Sequence, residues 1–212
     1  MRYYVTADVH GYFDELKKAL AEQGYFTDTE THKLVICGDL YDRGKQASAL
    51  QAFILDLMEK EEIILIRGNH EDLALDLLRG WYDGSYLKYH HHSNGTIDTV
   101  CQLTGTTPDN LRYRPEVVEK RLADNPYIQE IIPAMKDYYE TAHYIFVHGW
   151  IPCTTINLSP EQSGRRLTIS SPADLPQNRA YRSGTRLLPC LRTNRFVIRT
   201  ERPESRLLKP CV

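Results

Sequence analysis

The 212-residue sequence predicts an α/β fold, with central sheet strands flanked by helices. Two observations carry that reading. Short apolar runs alternate with amphipathic stretches through the first third of the chain, and each apolar run ends in a cluster of polar residues. Alternation of this kind builds parallel pairing with helical crossovers. In open α/β sheets, functional sites gather at the carboxyl ends of the strands.

Residues 2–7 (RYYVTA) read as a buried strand, and 13–23 (FDELKKALAEQ) as a helix that Gly24 stops. Residues 33–37 (KLVIC) form the next strand, 46–60 (QASALQAFILDLMEK) an amphipathic helix, and 63–67 (IILIR) a third strand. A short helix follows over 71–80, with Gly80 at its end. The stretch 81–136 is helical and irregular: SNGT at 93–96 marks a turn into a helix at 97–103, and Pro115 opens a helix at 115–123. Pro133 breaks or bends whatever covers 127–132. Residues 137–141 and 143–147 read as two strands joined by a tight turn. Beyond residue 150 the periodicity fades under recurring prolines, and only 194–200 (NRFVIRT) reads as a strand.

Charge marks a boundary at the same place. Residues 1–150 hold 15 basic and 24 acidic groups, whereas 151–212 hold 11 basic and 4 acidic, ten of the basic groups being Arg. All eight histidines precede residue 150. We therefore divide the chain into a main domain, 1–150, and an atypical Arg/Pro/Ser-rich tail, 151–212. The N-terminus runs straight into a strand without a basic-then-apolar leader, and no apolar run approaches the roughly 20 residues that span a bilayer. Five scattered cysteines without a CxxC pair point to a reducing compartment, so a cytoplasmic protein that does not enter membranes is expected.

Four predicted strands end in DVHG (Asp8, His10), GDLYDRG (Asp39, Asp42, Arg43), GNHE (Asn69, His70, Glu71) and HG (His148). Asp, Asn and His offer mixed oxygen and nitrogen ligands suited to borderline divalent metals such as manganese, iron or zinc. One carboxylate can bridge two such ions, and an arginine fork suits two phosphate oxygens. Singly, each cluster has a structural reading: an Asp after Gly as a turn or cap, an Asn–His pair as the cap of a helix starting near Glu71. Four in chain order, each closing a strand, favour one shared site.

The order of these motifs resembles the calcineurin-like metallophosphoesterases, and within them the phosphoprotein (serine/threonine) phosphatase branch of bacterial type. The likeness covers about residues 1–150, with Tyr41 where the branch has Val and Ala7 where it has Gly. It implies a sandwich of mixed sheets flanked by helices and a centre of two divalent ions, manganese first. By the same likeness, Asp8 and His10 bind one metal, Asp39 bridges, and Asn69 and His148 bind the other. Arg43 and Asn69 meet the substrate, and His70 is the general acid, oriented by Asp42. The implied reaction is attack on phosphorus by a hydroxide held between the metals, on a phosphorylated protein or small phosphoester. Hydrolysis of a dinucleoside tetraphosphate is the rival within the same motifs.

The sequence departs from the family after His148: no further histidine follows, where the family has a G-H or G-H-x-H motif that completes its metal set. The change of composition near residue 150 resembles an out-of-frame read of a longer gene, with a replacement domain as the other explanation. C-terminal strands altered or missing are expected, and the alternative of another class is a catalytically impaired relic or binding protein. The tail's arginines are dispersed and little interleaved with aromatics, so nucleic-acid binding ranks well below the enzyme. HHH at 90–92 reads as a solvated or pocket-rim loop, because consecutive helical residues point in different directions. Trp81, Tyr82, Tyr86 and Tyr89 read mostly as helical core, with a substrate pocket as the other use. Cys37 reads as a small buried hydrophobe.

Overall fold

In a computed structural model, the structure describes residues 1–141, 144–149, 166–169 and 199–200. β1 (Arg2–Ala7), β2 (His32–Cys37) and β3 (Ile63–Ile66) are parallel neighbours. β7 (Arg199–Thr200) adds an antiparallel edge to β1, giving the order β3-β2-β1-β7. A second sheet runs β4-β5-β6, from Tyr138–Glu140, Tyr144–Val147 and Arg166–Ile169, with β4 antiparallel and β6 parallel to β5.

The pleat divides the first sheet's side chains between two cores. Tyr4, Leu34, Ile36 and Leu65 face the helical layer, where they join Leu16 and Leu20 of α1 (Phe13–Glu22) and Leu50, Ile54 and Leu57 of α2 (Ala47–Glu59). The alternate residues Val5, Val35, Cys37, Ile64 and Ile66 pack with Phe146 of β5. Near-continuous apolar runs are what a strand buried on both faces requires. A third core of Leu77, Leu78, Ile97, Val100, Leu111, Val118 and Leu122 holds the later helices together. These are α3 (Asn69–Asp83), α5 (Thr96–Thr104), α6 (Pro108–Tyr113) and α7 (Pro115–Ala123), with α4 (Tyr89–Ser93) ahead of α5.

Most expected elements appear within a residue or two, including the turn between β4 and β5, closed by the Thr141 N–H donating to the Tyr144 carbonyl at 2.8 Å. Residue 143 of the expected strand and residues 194–198 lie outside the described residues. Pro133 does divide the predicted helix: a π-helical turn (Tyr127–Ile131) precedes it, and the proline sits in the first turn of α8 (Ile132–Ala134). Two expectations need correction. α3 begins at Asn69 and passes through Gly80 to Asp83; Gly84, in the left-handed region, ends it. Gly80 is required for packing, since a β-carbon there would lie 2.6 Å from Tyr86 Cα. HHH is helical in α4, with His91 fully buried. Beyond residue 150, β7 falls within the expected strand 194–200, and β6 is an added strand of four residues, too short for its periodicity to show in the sequence. Among the described residues, no helix is long and apolar enough to cross a membrane.

Asp28 ties the start of β1 to the approach to β2. It accepts from Tyr4 Oη at 2.7 Å and from the Glu30 N–H at 3.0 Å, and it pairs with Arg2. The Tyr4 hydroxyl, helped by Glu30 N–H and Arg2, outweighs burial and holds the carboxyl down at about 2. A folded pKa below the unfolded one gives stability that is present above about pH 4 and lost as pH falls through the folded value. Asp28→Asn is expected to lower the urea midpoint near neutral pH, with the gap from the parent closing as the pH approaches about 2. Urea titrations across that range measure it.

Candidate active site

The four polar clusters meet at one end of the sheets. Asp8 and His10 follow β1, Asp39, Asp42 and Arg43 follow β2, Asn69 and His70 open α3 directly after β3, and His148 follows β5. The β1 and β2 loops are laced together: His10 N–H donates to the Asp39 carbonyl (2.9 Å), Gly11 N–H to Leu40 (2.8 Å) and Gly44 N–H to His10 (2.7 Å). Among the described residues, six non-glycines have positive φ, and five of them are Asp8, His10, Asp39, Asp42 and Arg43. Backbone held in this region costs of order 1–3 kcal/mol per residue and clusters at functional sites. Gly38, at φ +77°, admits the last partner, because a β-carbon there would overlap the His148 ring.

Asp39 is the centre. Its Oδ1 accepts from the His70 N–H at 3.1 Å and lies 3.4 Å from His148 Nε2; its Oδ2 lies 3.8 Å from His10 Nε2 and 3.9 Å from His70 Nε2. The ligand-type atoms fall into two trios that share it, His10–Asp39–His70 and Asp8–Asp39–His148. Asn69 Oδ1 stands 2.9 Å from His148 Nε2. A cleft of about 410 Å³ opens beside Asn69 and His148, with Arg67, Asp72 and Asp137 on its walls.

The histidines divide by what holds Nδ1. His10 Nδ1 donates to the Tyr41 carbonyl at 2.9 Å and His148 Nδ1 to the Cys37 carbonyl at 3.0 Å. A carbonyl only accepts, so Nδ1 carries a proton in both rings and Nε2 is turned toward Asp39. His148 Nε2 also faces the acceptor Asn69 Oδ1, a crowding of acceptors that a cation would relieve. Convergence of imidazole and carboxylate acceptors, with the second ring nitrogen donated to a backbone carbonyl, is how a metal-ligating histidine is held. The donor set therefore fits divalent cations. Burial, aided by the Arg43 charge, lowers the pKa of His10 and favours its neutral form.

His70 differs. Its Nδ1 lies 2.7 Å from Asp42 Oδ2, and although burial acts to lower its pKa, that bond and the charges of Asp39 and Asp42 raise it. The same Oδ2 accepts from Thr96 Oγ1 at 2.9 Å, and the Asp42 N–H donates to Thr99 Oγ1 at 2.9 Å. Arg43 is exposed at the rim.

Sequence reasoning assigned no role to Glu71, Thr96 or Thr99. Fully buried Glu71 accepts the N–H groups of Gly68 (2.7 Å), Leu40 (2.9 Å) and Asp39 (3.1 Å), fastening the β2 loop to the start of α3. Burial and the charge of Asp39 raise its pKa to about 7 against those three bonds. An acidic residue in the first turn of a helix was the available signal, and it reads equally as an ordinary cap.

The histidine run forms a separate tie. His90 Nε2 and His91 Nε2 each lie 3.1 Å from Asp76 Oδ2, at a spacing a metal could use. However, Lys88 Nζ spans both Asp76 oxygens at 2.9 and 3.0 Å, and His91 Nδ1 accepts the Lys88 N–H at 3.3 Å. That leaves the His91 proton on Nε2, facing Asp76, so the cluster fastens α4 to α3 without needing an ion. Of the aromatics, Trp81 and Tyr86 stack with centroids 5.1 Å apart against the third core, whereas Tyr82 and Tyr89 are exposed. Cys37 is buried as expected.

Replacing Glu71 with Gln turns an amide NH₂ toward a backbone N–H and leaves a buried donor without an acceptor, at a cost of ~1–3 kcal/mol. Glu71→Gln is expected to unfold at a lower temperature than the parent and to bind divalent cation more weakly. Thermal melts and a cation titration read the two effects separately.

Comparison with known proteins gives one family. A sequence model described as calcineurin-like phosphoesterase matches residues 1–180. The chain is 33% identical over 101 residues to the serine/threonine-protein phosphatase 4 catalytic subunit of Kluyveromyces lactis, covering 46% of this chain and 30% of that protein. It is 30% identical over 86 residues to the asymmetrical bis(5'-nucleosyl)-tetraphosphatase PrpE of Bacillus velezensis, covering 38% of this chain and 34% of that one. The matches thus span about a third of the length of these curated relatives. A crystal structure of a cold-active protein-tyrosine phosphatase of a psychrophile, Shewanella sp., is similar with a TM-score of 0.47 and 22% identity, covering 72% of this chain and 43% of that one.

Proposed function

The chain belongs to the calcineurin-like phosphoesterase family, and we propose that it hydrolyses phosphoesters as a protein serine/threonine phosphatase does, using divalent cations. The observation that carries the reading is the shared posture of His10 and His148, each spending Nδ1 on a backbone carbonyl and turning Nε2 to Asp39. Asp8, His10, Asp39, Asn69 and His148 are the proposed ligands, with Asp39 common to both ions. Their mixed oxygen and nitrogen atoms suit manganese, iron or zinc, with manganese the first choice. When bound, such ions supply Lewis acidity that activates water and neutralises phosphoryl charge.

The remaining groups act on the substrate. Arg43 reaches from the rim with a planar fork that takes two phosphoryl oxygens. His70, kept protonated by Asp42, presents Nε2–H to the leaving-group oxygen and gives up that proton as the P–O bond breaks. Its ring is tethered by the Nδ1–H bond to Asp42. Similarity to PrpE gives a second reading, hydrolysis of a dinucleoside tetraphosphate, by the same residues.

The first test is turnover of p-nitrophenyl phosphate by the 212-residue chain with and without Mn²⁺. Turnover is expected only with the metal, with Asp39→Asn abolishing it; on phenyl phosphate, whose leaving group is poor, His70→Asn is expected to cost ~10²–10⁴-fold. A folded chain that binds Mn²⁺ and turns nothing over sinks the hydrolase reading. Rates on a phosphoserine peptide and on diadenosine tetraphosphate, side by side, decide the substrate; the phosphopeptide is expected to be faster.

A further inference from the structure

Asp42 is held from a direction that the motifs do not reveal. Its Oδ2 takes two donors, His70 Nδ1 at 2.7 Å and Thr96 Oγ1 at 2.9 Å. Thr96 is the first residue of α5 and Thr99 follows one turn later on the same face. Thr99 accepts the Asp42 N–H, so one helix grips both the backbone and the carboxylate of this residue. Gly95 lets the helix come close: a β-carbon there would lie 2.8 Å from Arg43 N. The residues gripped, Asp42 and Arg43, have φ of 71° and 73°.

We propose that Thr96 is a positioning residue for leaving-group protonation, an assignment that rests on the hydrolase reading and on His70 as its acid. A carboxylate can turn about its last torsion, and one oxygen held by one imidazole does not stop it. The second donor, arriving from α5, fixes where that oxygen lies. The Nδ1–H···Oδ2 direction then fixes the plane of the His70 ring, and with it the path of the Nε2 proton. Thr96 is 1% exposed, so bulk water does not compete with Asp42 for its hydroxyl. A β-branched side chain with restricted χ1 also offers that hydroxyl in few directions. Thr96 touches neither substrate nor metal in this scheme; it acts through Asp42 and His70.

Such a role is selective by leaving group. p-Nitrophenolate departs without much help, whereas phenolate and a serine alkoxide need the proton. Thr96→Val keeps shape and removes the hydroxyl, and Thr96→Ser keeps the hydroxyl. With Mn²⁺, Thr96→Val is expected to lose about tenfold or more in kcat on phenyl phosphate and under about threefold on p-nitrophenyl phosphate, with KM little changed. Thr96→Ser is expected to stay within about threefold on both. The His70 Nδ1 proton, followed by NMR, is expected to be sharp in the parent and Thr96→Ser and broadened in Thr96→Val. If Thr96→Val does not fold, Thr96→Ala takes its place. Equal losses on both substrates, or a Thr96→Ser variant as impaired as Thr96→Val, overturn the assignment. A parent without turnover, or a His70→Asn variant indifferent to the leaving group, counts against the hydrolase reading instead. In that case the NMR comparison alone decides whether Thr96 holds the pair, and an unchanged resonance in Thr96→Val overturns it.

Discussion

The site depends on one buried carboxylate that carries no chemistry of its own. Glu71 takes up three backbone N–H groups, two from the β2 loop and one from the residue that caps α3. Each of those donors would otherwise be buried without an acceptor, and each such loss costs ~1–3 kcal/mol. Burying a carboxylate is also expensive, which is why its pKa rises to about 7. The balance is acceptable because the three bonds form together. Their result is geometric: the backbone of Asp39 and the start of α3 have one relative position, and Asp39 Oδ1 then meets the His70 N–H.

From that joint the strain elsewhere becomes intelligible. Five residues with left-handed backbone stand within two loops, and none is glycine. At ~1–3 kcal/mol each, this is a sum that loops alone could not hold. Behind the loops stand Leu34, Val35, Ile36, Leu50, Ile54 and Ile66, all inaccessible to solvent. Full burial of one such side chain contributes ~1.5–3 kcal/mol, so these residues of the sheet and of α2 together contribute a sum of the same size as the strain of the loops they carry. The parallel register of β1, β2 and β3 brings the loops to the same edge.

How much of this was legible follows from the same physics. β1, β2 and β3 announce themselves because strands buried on both faces are unbroken apolar runs, and the polar clusters mark where they end. α2 shows its apolar stripe for a related reason. Gly80 misled because a helix-ending glycine and one that admits a neighbouring backbone look alike in sequence; only the approach of Tyr86 separates them. His91 misled because its burial depends on Asp76, fifteen residues earlier on another helix. Thr96 and Thr99 were invisible as site residues, and Glu71 stood in the GNHE cluster without a role, because what they do is accept from or donate to groups distant in sequence. Motifs record the side chains that meet a ligand, and say little about those that hold the first set still.

The three central histidines show why residue type is a poor guide to role and hydrogen-bond partner a good one. His10, His70 and His148 are all buried, and all approach Asp39 through Nε2. Two give Nδ1 to a backbone carbonyl, which leaves Nε2 for the proposed cation. The third gives Nδ1 to a carboxylate, which favours the charged ring and so keeps a proton on Nε2. In the proposed reaction these are opposite needs, an acceptor toward the cation and a donor toward the leaving group, met a few ångströms apart. The distinction is made entirely behind the rings. There it depends on where the backbone of Cys37 and Tyr41 points and on the side chain of Asp42.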